Sequence, residues 1–98
     1  MNITVNKDGG RLTIGLEGRL DTTSAPQLEG TLREHLRGVT DLVMDFAALA
    51  YISSAGLRVL LAAMKLMKKQ GSMVVRNVNE TVMEVFEITG FADMLTIE

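Results

Sequence analysis

Tyr51-Ile52-Ser53-Ser54-Ala55-Gly56-Leu57 lies between two segments of opposite character. Before it, Asp41 to Phe46 reads as a buried strand; after it, Gly56 to Gln70 is the longest helical pattern in the chain. Two hydroxyls are therefore expected where a strand gives way to a helix N-terminus. The first turn of a helix exposes backbone N–H groups without internal partners, and the macrodipole adds about half a positive charge there. A hydroxyl at such a place either caps the helix or accepts phosphate, since an anion is also held well there.

Within Gly56 to Gln70, Leu57, Leu60, Leu61, Met64 and Met67 form one stripe at about 100° per residue. Val59, Ala63 and Leu66 widen it, and Arg58, Lys65 and Lys69 leave a narrow polar arc. This apolar face is wider than one sheet contact needs. Either neighbouring helices cover the extra width, or Val59, Ala62 and Leu66 help line a partner-binding surface beside the serines. Lys68, Lys69 and Gln70 before Gly71 suit a helix C-terminus and its glycine stop.

Toward the N-terminus, Ile3 and Val5 alternate with polar neighbours, Lys7-Asp8-Gly9-Gly10 supplies a turn, and Leu12, Ile14 and Leu16 resume the alternation, which predicts a hairpin. Thr22, Thr23, Ser24 and Pro26 mark a helix start, and Ala25, Leu28, Leu32 and Leu36 give that helix its buried stripe up to Gly38. Leu42 to Phe46 is expected as a central strand buried on both faces. Beyond Gly71, Ser72 to Val78 reads as a fourth strand and Asn79 as a cap. Val82, Val85 and Phe86 then read as a helix stopping at Gly90, with Met94, Leu95 and Ile97 as a short terminal strand. The order β-β-α-β-α-β-α-β contains two strand-helix-strand crossovers. It predicts an α/β domain with a mixed sheet of four to five strands and helices packed on it.

The chain of 98 residues is read as a single domain, 1–98, with room for one core. A net charge of −2 provides no basic field for nucleic acid. Without cysteine there is no disulfide frame, thiolate nucleophile or zinc-thiolate site, and one histidine excludes a multi-histidine metal cluster. No leader and no apolar run near 18 residues is apparent, so a cytoplasmic protein without membrane insertion is expected.

Gly18-Arg19-Leu20-Asp21 before the first helix, Leu42 to Phe46, and then Tyr51 to Leu57 leading into a Leu-rich helix resemble the STAS domain, specifically the small stand-alone anti-sigma factor antagonists. The likeness spans essentially the whole chain. It implies a phosphoacceptor serine at Ser54, with Gly56 and Leu57 matching the end of the motif. Ser53 stands where the family usually has aspartate and is the alternative acceptor; Ala55 stands where serine or threonine is common. The resemblance further implies an unphosphorylated form that binds an anti-sigma factor, itself a serine kinase using ATP and magnesium, and so frees a sigma factor. Phosphorylation ends that binding, and a serine phosphatase resets it. The chain is then substrate and ligand, not an enzyme, with no cofactor of its own. Its partner-binding set is Asp21, Ser53, Ala55, Gly56, Leu57, Arg58, Val59 and Ala62. Two other readings stay open: a ligand-binding or transporter-associated STAS module, and a phosphocarrier.

Each of these residues also has a plainer role. Ser53 and Ser54 can cap a helix, Gly56 can relieve crowding in the first turn, and Asp21 can cap or close a turn. Arg58 is a solvated side chain or an ion-pair partner, including for phosphate on Ser54. His35, near the end of the first helix, suits the helix dipole. Asp45 reads as a strand-end residue bonded to the following loop. A serine hydrolase reading would need a histidine beside Ser54, and the sequence provides only His35.

Overall fold

The computed structural model describes all residues, Met1–Glu98. Strand β1 (Asn2–Asp8) turns at Gly9-Gly10 into β2 (Arg11–Leu20), and Gly9 adopts φ 61°, which the tight turn requires. Helix α1 (Ala25–His35) leads to β3 (Asp41–Ile52), α2 (Ser54–Gln70) to β4 (Ser72–Arg76), and α3 (Glu80–Thr89) to the single turn α4 (Phe91–Met94). The four strands lie in the order β1-β2-β3-β4, with the hairpin antiparallel and the β2–β3 and β3–β4 pairs parallel. Parallel neighbours need crossovers, and crossovers are right-handed. Both step the same way across the sheet, so α1 and α2 share one face.

That face carries the core. Leu12, Ile14 and Leu16 of β2, Leu42, Met44, Phe46, Leu49 and Ile52 of β3, and Met73 and Val75 of β4 join Leu28 and Leu32 of α1, Leu60 and Met67 of α2, and Val82 and Phe86 of α3 in one cluster of 24 buried residues. The opposite face has no helical cover, so β3 is not buried between two layers as expected from its apolar run. Val43, on the bare side, is 5% exposed and lies outside that cluster. Its shelter comes from its sheet neighbours Thr13 and Val74. The helical width expected on α2 is partly filled by α1, which packs against it.

Strand β3 runs six residues beyond Phe46 because it is bulged. Its partner register with β2 shifts between Gly15 and Glu17 and again between Gly18 and Arg19, each time giving β3 an extra residue. Its inward positions therefore advance 42, 44, 46, 49, 52, and the period-2 signal fades where the strand continues. Asp45 sits at the first bulge, not at a strand end. Its Oδ1 accepts from the Ala47 N–H at 2.9 Å and from Asn77 Nδ2 at 3.0 Å. These bonds, Asn77 first and Ala47 second, hold the Asp45 carboxyl below the ordinary aspartate range, and Arg76 adds to the effect.

The other boundary differences have local causes. Strand β4 stops at Arg76 because Asn77 takes φ 61°, where a strand cannot continue. Helix α1 ends at His35 with Leu36 as its C-cap, two residues before Gly38 at φ 78°. Met94 closes α4, where a terminal strand was expected; only Ile97 bridges, parallel, to Val75. Asn79 caps α3 as expected, and Gly90, at φ 84°, ends it. At the start of the sheet, Gln70 Nε2 donates to the carbonyls of Leu36 and Val39 at 2.7 and 2.6 Å, tying the far ends of α1 and α2 together.

Candidate functional site

The carboxyl ends of β2 and β3 lie side by side at Leu20 and Ile52, and both α1 and α2 begin there. In helix-covered parallel sheets this end is where the chain turns and ligands gather. The Ser53 N–H donates to the Leu20 carbonyl at 2.9 Å, so the β3–α2 junction is fixed to β2.

Ser53 is the N-cap of α2, with φ −103° and ψ 176°, and its carbonyl accepts the Leu57 N–H at 3.0 Å. Its hydroxyl does not cap. Ser53 Oγ is enclosed and has no hydrogen-bond partner. Ser54, the first helical residue, is exposed. The two adjacent hydroxyls thus differ in access: one is sealed by the protein, and the other stands in solvent beside first-turn N–H groups that no side chain has claimed. Helix α2 begins at Ser54, two residues before Gly56.

The loop from β2 to α1 is built on Asp21. Its Oδ1 accepts from the Thr23 and Ser24 backbone N–H groups at 3.0 and 3.1 Å, an Asx-type turn. The Ser24 hydroxyl accepts from the Asp21 N–H and donates to the Arg19 carbonyl. These bonds hold the Asp21 carboxyl below its ordinary range. The Ser24 N–H is the chief cause; desolvation opposes it, and the Ser24 hydroxyl, the Thr23 N–H and Arg19 add further to the lowering. Arg19 lies 3.9 Å from Asp21 Oδ2 and covers the Tyr51 ring at 4.3 Å from its centre. Asp21 is therefore first of all a turn-builder, with its side chain 35% exposed beside the α2 start.

The remaining expected contact residues divide by burial. Ala55 is half-buried, and Arg58 and Ala62 are exposed. Gly56 and Leu57 are buried, with Leu57 in the core. A β-carbon at Gly56 would come within 2.6 Å of Leu20 Cγ and 2.9 Å of Ile52 Cγ1, so the absent side chain lets α2 sit down on the two strand ends. Val59, 7% exposed, belongs to the core but reaches the floor of a hollow between α1 and α2. Thr22, Ala25, Pro26, Glu29, Ala55 and Arg58 form the rest of that hollow. Its α1 wall has no separate signal in the sequence, because Thr22 and Pro26 are also the residues that start the helix. Leu66, the third residue considered for a partner surface, is 48% exposed but lies three turns down α2 from Ser54.

Arg58 has no carboxylate partner. His35 ends α1, on the far side of the fold from Ser54, so no histidine is placed to activate a serine. No group of three or more His, Asp or Glu side chains is arranged to hold a metal, and no helix is long and apolar enough to cross a membrane.

The STAS domain family model matches residues 2–98. BtrV of Bordetella bronchiseptica, itself a candidate anti-sigma factor antagonist, is 40% identical over 99% of this chain and 85% of that protein. The anti-sigma-B factor antagonist of Bacillus subtilis is 31% identical over 99% of this chain and 90% of that protein. Among solved structures, the anti-sigma factor antagonist SpoIIAA in its unphosphorylated form superposes with a TM-score of 0.86 at 21% identity, covering 99% of this chain and 88% of that one. Its phosphorylated form gives a TM-score of 0.77 at 20% identity, covering 99% and 91%.

Proposed function

The chain belongs to the STAS domain family of anti-sigma factor antagonists, and from that premise we infer that it is a protein-binding switch operated at Ser54. Unphosphorylated, it captures an anti-sigma factor that is also a serine kinase, and the sigma factor held by that protein is released. The kinase, using its own ATP and magnesium, moves the γ-phosphoryl group to Ser54 Oγ; ADP leaves, the hydroxyl proton is released, and capture ends. A serine phosphatase hydrolyses the ester and restores the binding form. The chain itself supplies no catalysis and no cofactor, and the setting is the cytoplasm, where sigma factors work.

The observation that carries this reading is the contrast between the two hydroxyls, with Ser54 exposed and Ser53 Oγ enclosed. A kinase must bring a γ-phosphoryl group in line with the attacking oxygen, and only an open hydroxyl permits that approach. The surface around it suits docking. Ala55, the hollow floored by Val59, and the exposed Arg58 and Ala62 surround Ser54 with apolar area and one cation. Adding about −1.5 to −2 charges at the centre of such a contact costs desolvation, whereas the free protein tolerates the charge at a helix start. The switch therefore needs no change of fold.

Binding to the cognate anti-sigma kinase, measured for Ser54→Ala and Ser54→Asp, tests the proposal. Alanine should bind persistently in the presence of ATP, and aspartate at least tenfold more weakly, a difference of about 1.4 kcal/mol. Equal binding by the two variants would remove the switch.

A further inference from the structure

Arg58 follows Ser54 by four residues on α2, is exposed, and pairs with no acid. Helix side chains four apart meet, and an anion on the N-terminal side of the cation is the favourable order. This molecule already uses that spacing in α1, where Glu29 Oε1 lies 3.2 Å from Arg33 Nη2. Two acids at this end of the fold are engaged elsewhere. Glu29, which shares the hollow with it, is taken by Arg33, and Asp21 by its turn N–H groups and Arg19. The enclosed Ser53 hydroxyl does not compete for the first-turn donors.

We propose that a phosphate on Ser54 is received within the chain by the Arg58 guanidinium, so that modification converts two exposed partner-facing groups into one internal ion pair. The inference rests on the reading of Ser54 as phosphoacceptor and adds a regulatory role for Arg58. Arginine suits it because its planar fork matches two phosphate oxygens at once. The pair withdraws the hydroxyl and the cation from the docking surface together, and a partner would have to break it to regain Arg58.

The test uses full-length protein with phosphoserine installed at position 54 during translation, so no kinase enters. In a phosphorus-31 NMR titration, the phosphate's second pKa should lie roughly 0.2 to 0.4 units lower in the parent than in Arg58→Ala. The difference should fade in 1 M salt, recover in part with Arg58→Lys, and persist in Glu29→Gln. Phosphorylation should also raise the melting temperature of the parent more than that of Arg58→Ala, while the two unmodified proteins melt together. Identical titrations in parent and Arg58→Ala, or a shift that follows Glu29→Gln instead, would overturn the pair. A kinase that labels some other residue would end the reading of Ser54 as the natural acceptor while leaving this titration intact.

Discussion

Helices α2 and α3 both start from an extended residue, Ser53 at φ −103°, ψ 176° and Asn79 at φ −79°, ψ 171°. The backbones agree and the side chains do not. Asn79 Oδ1 accepts from the Val82 N–H at 2.9 Å, and its Nδ2 donates to the Leu49 carbonyl at 2.7 Å, so the amide closes α3 and ties it to β3. Ser53 Oγ has no partner, and the first turn of α2 is left without a side-chain acceptor. An uncapped start forgoes about 1 kcal/mol, and an enclosed hydroxyl without a partner costs more. That α2 nonetheless runs seventeen residues shows that its stability comes from packing, through Leu57, Leu60, Ala63 and Met67. One helix start is built for stability; the other is held in place by the rest of the helix and keeps its donors free.

The strongest way to break this contrast is to unseat α2. Gly56→Leu should lower stability by about 3 kcal/mol in urea denaturation, because the new side chain has to displace Leu20 and Ile52. Retained stability would mean that the helix does not depend on close contact with the strand ends. Next comes a direct comparison of caps. Asn79→Ala should cost about 1–2 kcal/mol, since it deletes a cap and leaves the Leu49 carbonyl unpaired. Ser53→Ala should be neutral or slightly stabilising, and equal losses from the two would erase the distinction.

A third test uses acid. The bonds from Asn77 and Ala47 depress the folded-state pKa of Asp45, so the folded protein binds its proton less readily than the unfolded chain. The resulting stability is fully present above the unfolded value of about 3.9 and is lost as pH falls through the lower folded value. Asp45→Asn should flatten the decline of stability below about pH 4 and cost about 1 kcal/mol near neutrality. The loop into α3 would thereby prove acid-sensitive. Smallest of all, Ser54→Ala should change stability by less than about 0.5 kcal/mol, because an exposed first-turn side chain with no bond contributes little.

Much of this is legible in the sequence. The crossovers follow from periodicity, the cap at Asn79 from residue type, and the junction at Ser53-Ser54 from a buried strand meeting a Leu-rich helix. The length of β3 is not, because its two bulges shift the inward positions out of alternation just where Ala47 to Ala50 weaken the apolar signal. Nor is the role of Gly56. Sequence shows a small residue beside a serine, and only packing shows that Leu20 and Ile52 demand it. The difference between the two hydroxyls lies furthest out of reach. Both serines have the same chemistry and nearly the same position, and what separates them is a side-chain direction set by the strand ends beneath.

Peptide mapping by mass spectrometry after incubation with the cognate kinase, ATP and magnesium goes straight to that difference. A single phosphate on Ser54, unchanged in Ser53→Ala and absent in Ser54→Ala, is the predicted result. A phosphate found on Ser53 would contradict it, since that oxygen is the one the fold encloses.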